Sequence, residues 1–246
     1  MKEVILMWQN TRMVVLCAVC ASVYTAILIP FKIATIIPGF TEIRPAAVLP
    51  VVFSLMFGPA GAWGSAFGNL IGDFFGTLGP GSFFGFIGNF LYGFIPYKVW
   101  QYISKQDPVF NTPKVVINYF CCIALSSSIC GMFIAWGVDL LGFVPITLLA
   151  NIITLNNFLV CVILGPFLLV ILYPRVKKWR LLYSNILTEL PKPGKFAGIG
   201  ILCLLIGSIG GLIIINLGSF GFIQCPITWW TMTPVVLLII IGTLLI

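Results

Sequence analysis

Long apolar runs separated by short polar stretches take up most of this chain, and they constrain its fold more than any motif does. Mean hydropathy is +1.14, with 60% hydrophobic and only 8% charged side chains. Soluble domains carry about a quarter charged residues, so water could not solvate this surface. The chain is therefore read as integral to a membrane. Its runs have helical length and lack the alternation of barrel strands, which excludes the other way of satisfying a backbone in lipid. At about twenty residues per span, eight segments fall near 13–36, 45–57, 59–76, 81–102, 114–137, 147–173, 196–217 and 228–246. The expected fold is an all-α polytopic membrane helical bundle. The second and third segments are short, and the "FGPAG" between them predicts a tight turn. Together they predict a hairpin packed inside the bundle. The first segment lacks an A-x-A cleavage pattern and is read as a retained helix.

Charge placement orients the bundle. The chain carries 13 Lys+Arg against 6 acids, and all but Lys32 and Arg44 fall on one side if the N-terminus is cytoplasmic. The positive-inside rule then puts both termini and the 174–195 linker in the cytoplasm. The basic clusters are topology signals, and nothing is left for a nucleic-acid partner to explain. The 8 cysteines lie in or beside apolar runs, and there is no histidine. They read as small apolar residues, so no metal or other cofactor is implied.

The third segment contains "GSAFGNLIGDFFG", with glycine at Gly64, Gly68, Gly72 and Gly76. Small residues four apart let helix backbones approach closely in lipid. The fourth segment has Gly81, Gly85, Asn89 and Gly93 in the same step, so spans three and four are expected to pack stripe to stripe. Asn69 and Asp73 stand one residue round from the glycines. A carboxylate in a span costs about 2.5–3.5 kcal/mol at the bilayer centre and marks a pairing or binding site. Glu42, Arg44, Asp139, Asn151, Asn156 and Asn157 are expected on the same outer side. Trp136, Phe74, Phe75, Phe83, Phe84 and Phe86 are expected to supply aromatic walls for a small, flat, hydrogen-bonding ligand. The candidate binding set is Glu42, Arg44, Asn69, Asp73, Asn89 and Asn156.

Four passages in order, "EIRPAAVLP", "FGPAGAWGSAFGNLIGDFFG", "GPGSFFGFIGNFLYGFIPYKVW" and "NNFLVCVILGPFLLVILYPRVKK", resemble the substrate-binding (S) subunit of energy-coupling factor transporters. The resemblance covers about residues 12–180. It implies a six-helix bundle that binds a vitamin or related micronutrient from outside, under a lid between its first two helices. It also implies partners: a membrane scaffold (T) subunit and two cytoplasmic ATPases, in the plasma membrane of a prokaryote. In such subunits small residues on the first helix dock on the scaffold. Ala18, Ser22 and Ala26 match that role, although ordinary helix packing would use the same residues. The resemblance implies a binding domain over 1–180, with 181–246 an added linker and helical pair outside the usual pattern. The alternative function is a stand-alone secondary transporter or channel. An enzyme is not expected, because no histidine and no paired carboxylates lie within a span.

Overall fold

The structure, a computed structural model, describes every residue except 1, 34, 39, 43, 105 and 188–193; for residues 33, 35, 41 and 42 it describes the backbone alone. It is a bundle of helices: α1 (Lys2–Leu6), α2 (Thr11–Leu28), α3 (Val48–Phe57), α4 (Pro59–Asp73), α5 (Gly81–Ile103), α6 (Pro113–Leu140), α7 (Ile146–Lys178), α8 (Tyr183–Ile186), α9 (Ala197–Leu205), α10 (Gly211–Ser219) and α11 (Trp229–Leu245). Among the described residues, four stretches, Thr11–Lys32, Pro113–Leu140, Ile146–Ile186 and Ala197–Ser219, are long and apolar enough to cross a membrane by themselves.

Local chemistry sets the helix ends. Asn10 caps α2 by accepting from Arg12 N at 3.0 Å and Met13 N at 3.3 Å. Thr112 caps α6 through Val115 N at 3.4 Å, with Pro113 at the first position, where its missing N–H leaves nothing unsatisfied. Gly58 turns α3 into α4 at φ +56, and Pro59 opens α4. The tight "FGPAG" hairpin is therefore present, and every residue of α3 is buried. Helix α2 ends at Leu28 and tightens into a 3-10 helix over Ile29–Ile33, so the first span stops near Lys32 rather than at residue 36. Beyond Pro30 the chain forms an antiparallel pair, β1 (Thr35–Ile37) and β2 (Thr41–Glu42), with Thr35 opposite Glu42. Proline at 30 cannot donate to a continuing helix; the apolar run through residue 36 concealed this strap.

The glycine stripe has a different partner from the one its spacing suggested. A Cβ at Gly68 would stand 2.9 Å from Ala21 O and from the Tyr24 side chain. One at Gly72 would reach Leu28 at 2.5 Å, and one at Gly64 would meet Cys20. The stripe thus seats α4 on α2, sealed by a Thr25 Oγ1 to Gly68 O bond of 2.9 Å. Helix α5 packs on the neighbouring face of α4. There Gly93 lies against Ala62, and Gly85 lies against the Asn69 amide, 3.1 Å from the position a Cβ would take. Helix α4 accordingly has two close-packed faces, and the polar pair lies on the one shared with α5.

At the end of the bundle formed by the start of α4 and the last turns of α5 and α7, α1 and α8 lie across the helices. The buried Lys98 Nζ bonds Glu3 Oε1 at 2.8 Å, and Trp63 Nε1 donates to Val4 O at 3.0 Å. Burial disfavours the Glu3 carboxylate, yet its bond to Lys98 and nearby N–H donors hold its pKa below the ordinary value. Tyr183 meets Tyr97 edge-on at 5.1 Å. The C-terminal pair, α9–α10 and α11, closes on itself where Gly200 and Gly242 leave the two backbones in near contact. It packs on α6 and α7.

Candidate functional site

Opposite the end closed by α1 and α8, the strap between α2 and α3 contributes Phe40 and Arg44 to the wall of a cavity of about 270 Å³. Its polar wall is Arg44, Asn69, Asp73, Thr77 and Ser82, and its apolar wall includes Phe40, Ile134, Val138, Phe143, Leu149 and Ile153. Asn69 and Asp73 are four apart on α4 and stack on one side of its end. Thr77 returns beside them from the turn after α4, where Gly76 sits at φ +145 and Thr77 N donates to Asp73 O at 3.0 Å. Gly85 leaves room beside Asn69, since a side chain there would press on its amide. Phe40, from the strap, sits 5.6 Å from Phe143 in the α6–α7 connection. That ring pair joins the lid to the far wall.

A chain of hydrogen bonds orders the polar wall. Arg44 Nη1 donates to Asn69 Oδ1 at 3.2 Å, and Asn69 Nδ2 donates to Asp73 Oδ2 at 3.3 Å. Thr77 Oγ1 donates to Asp73 Oδ1 at 2.9 Å. Lys32 Nζ reaches Thr77 Oγ1 at 2.6 Å and Asp73 Oδ1 at 3.3 Å, with both side chains of the ion pair only 6% exposed. Two charges taken from water at this depth lose solvation that their pairing and extra hydrogen bonds must offset. Lys32 is not one of the cavity-lining residues; it stands behind Asp73 and ties the start of the strap to α4. Oδ2 of Asp73 lies on the Gly85 side, which lines the cavity. The wall thus presents a guanidinium, an amide and a carboxylate side by side, suited to a ligand edge with both donors and acceptors.

Of the residues expected from the sequence, Arg44, Asn69 and Asp73 meet at this cavity. Glu42 lies on the lid strand β2, and its side chain is outside the described residues. Asn89 is one turn along α5 from Gly85; it accepts from Tyr24 OH at 3.3 Å and donates to Gly85 O at 2.8 Å. Asn156 is half-buried on α7 and does not line the cavity. The expected aromatic wall is corrected: Phe74, Phe75 and Phe83 are exposed on the bundle surface, and the lining rings are Phe40 and Phe143. Asp139 and Asn151 also turn elsewhere, accepting from Trp229 N and, at 3.0 Å, from Asn216 Nδ2 of the C-terminal pair. Thr77, Phe40 and Phe143 all come from turns or connections with no periodic signal.

On α2, Ala18, Ser22 and Ala26 are all exposed along one face. Ser22 Oγ is satisfied by Ala18 O at 2.8 Å, so the stripe offers lipid no free donor.

Fold and cavity together define a helical membrane protein with a solute-sized, hydrogen-bonding cavity at one end. Residues 14–174, more than half of the chain, match the family model described as QueT transporter. The chain belongs to that family, whose members are S components of energy-coupling factor transporters for a queuosine precursor. Comparison with curated proteins and with solved structures returned no match.

Proposed function

We propose that this S component captures a queuosine precursor base from outside the cell, in the lidded cavity. The observation that carries this reading is the Arg44–Asn69–Asp73 chain along the cavity wall. A 7-deazaguanine, the ring system of queuosine, presents adjacent N–H donors with a carbonyl beside them. The Asp73 carboxylate would take the donors, Asn69 or Arg44 would serve the carbonyl, and Phe40 and Phe143 would cover the ring faces.

Turnover in this reading depends on a scaffold T subunit and two cytoplasmic ATPases, docked through Ala18, Ser22 and Ala26. The exposure of that face supports it. The lid end faces outside and both termini face the cytoplasm of a prokaryote. Residues 1–180 form the capture unit and 181–246 an addition to it.

Mass spectrometry of small molecules co-purifying with the detergent-solubilised protein should find a 7-deazapurine; a different solute class would overturn the substrate. Asp73→Asn should weaken 7-deazaguanine binding at least about tenfold by isothermal titration, since about 1.4 kcal/mol is one decade and an unpaired buried partner costs about 1–3 kcal/mol. Melting of the ligand-free variant shows that the loss is read on folded protein. Parental affinity in Asp73→Asn would remove the carboxylate from the site.

A further inference from the structure

We propose that the C-terminal pair, which lies beyond the matched family region, is a brace that fixes the apolar wall of the binding cavity. That wall comes from α6 through Ile134 and Val138, from the α6–α7 connection through Phe143, and from α7 through Leu149 and Ile153. Three polar links join the pair to those same elements. Trp136 Nε1 on α6 donates to Thr233 Oγ1 on α11 at 3.0 Å. Asp139, at the end of α6, accepts from the backbone N–H of Trp229, the first residue of α11. Asn151, near the start of α7, accepts from Asn216 Nδ2 on α10 at 3.0 Å.

The links alternate with the wall. Trp136 and Asp139 lie among Ile134, Val138 and Phe143, and Asn151 lies between Leu149 and Ile153, so on both helices the lining and braced residues occupy different faces of the same turns. All three links are at the lid end. Toward the other end the pair meets α6 through apolar and glycine contacts, with Gly211 set against Met132. Lipid offers no water to replace a broken hydrogen bond, so directional bonds at these positions fix the rotation and height of α6 and α7. Phe143 then holds a set position against Phe40. With the pair in place, Ala18, Ser22 and Ala26 on α2 remain exposed. Trp136, Asp139 and Asn151 are positioning residues that act on the ligand through the wall.

The test uses full-length Asn216→Leu/Thr233→Val, both substitutions being on the brace and outside the cavity. Hydrogen–deuterium exchange of the ligand-free protein in nanodiscs should speed up over residues 134–153, with α2 and α4 at parental rates. Binding of 7-deazaguanine should weaken about threefold or more, mainly through faster release. Parental exchange over 134–153 would overturn the brace, and so would faster exchange with unchanged binding. Loosening throughout the bundle would make the pair a general stabilising element and also overturn it. The binding arm rests on the proposed substrate. If the parent does not bind 7-deazaguanine, that substrate fails, and exchange over 134–153 decides the brace alone.

Discussion

Gly68 shows how little room a single position can leave. Its absent side chain lets the Ala21 carbonyl and the Tyr24 side chain approach to 2.9 Å of where a Cβ would be. Gly68→Leu would force α2 and α4 apart along their seam, although leucine is itself welcome in lipid. Overpacking of a close-packed site costs about 1–3 kcal/mol, and the thermal midpoint in detergent should fall clearly. Gly210→Ala is the control, since its added carbon meets nothing nearer than 4.0 Å. An unchanged midpoint for Gly68→Leu would mean that the seam is not tight. Asp73 makes the complementary point. Its presence in a nearly uncharged run marked it in the sequence, but its ion pair with Lys32 depends on where the 3-10 helix Ile29–Ile33 carries that lysine at the end of the first span.

Among the elements, α2 does two jobs on opposite sides. One face receives the α4 glycines through Cys17, Cys20, Ala21, Tyr24 and Leu28. The other leaves Ala18, Ser22 and Ala26 exposed, which separates them from the packing seam. Ala18→Phe with Ala26→Phe should therefore abolish uptake in cells that also carry the scaffold and ATPase subunits. Substrate binding to the purified variant should stay parental, because neither residue touches the cavity. Loss of binding together with uptake would assign the stripe to the fold. The strap is the element least legible in the sequence. Its first strand lies at the end of an apolar run that reads as part of the first span, and only its pairing with the polar Thr41–Glu42 defines it.

Across the whole molecule, α1 and α8 close the basic end and the strap covers the other, so the bundle is capped at both ends by segments that do not cross it. In the proposed orientation a cysteine at Ser184, on α8, is cytoplasmic. An impermeant thiol reagent should leave Ser184→Cys unlabelled in intact cells, above the background of the parent, and should label it in inverted vesicles. Labelling in intact cells would invert the topology. The same placement explains the long linker after α7. Leu182 and Ile186 are buried, and Tyr183 packs beneath the α3–α4 turn at Gly58, so the segment helps to seal the bundle as well as connect its parts.

The sequence by itself determined the membrane class, the order of the helices, the α3–α4 hairpin turn and the polar nucleus at Asn69 and Asp73. These are local consequences: each segment in lipid must satisfy its own backbone, and a proline, glycine or carboxylate acts within its own turn. Which helix meets which was decided only in three dimensions. Small-residue stripes on α2, α4 and α5 have similar spacing, and spacing does not name a partner. The α4 stripe met α2 because Cys20, Ala21 and Tyr24 fit it, leaving Asn69 and Asp73 for the α5 side. The same rule divided the polar residues near the lid. Depth was readable for Asp139, Asn151 and Asp73 alike, but the direction each faces follows from its neighbours, so two bond to the C-terminal pair and one lines the cavity.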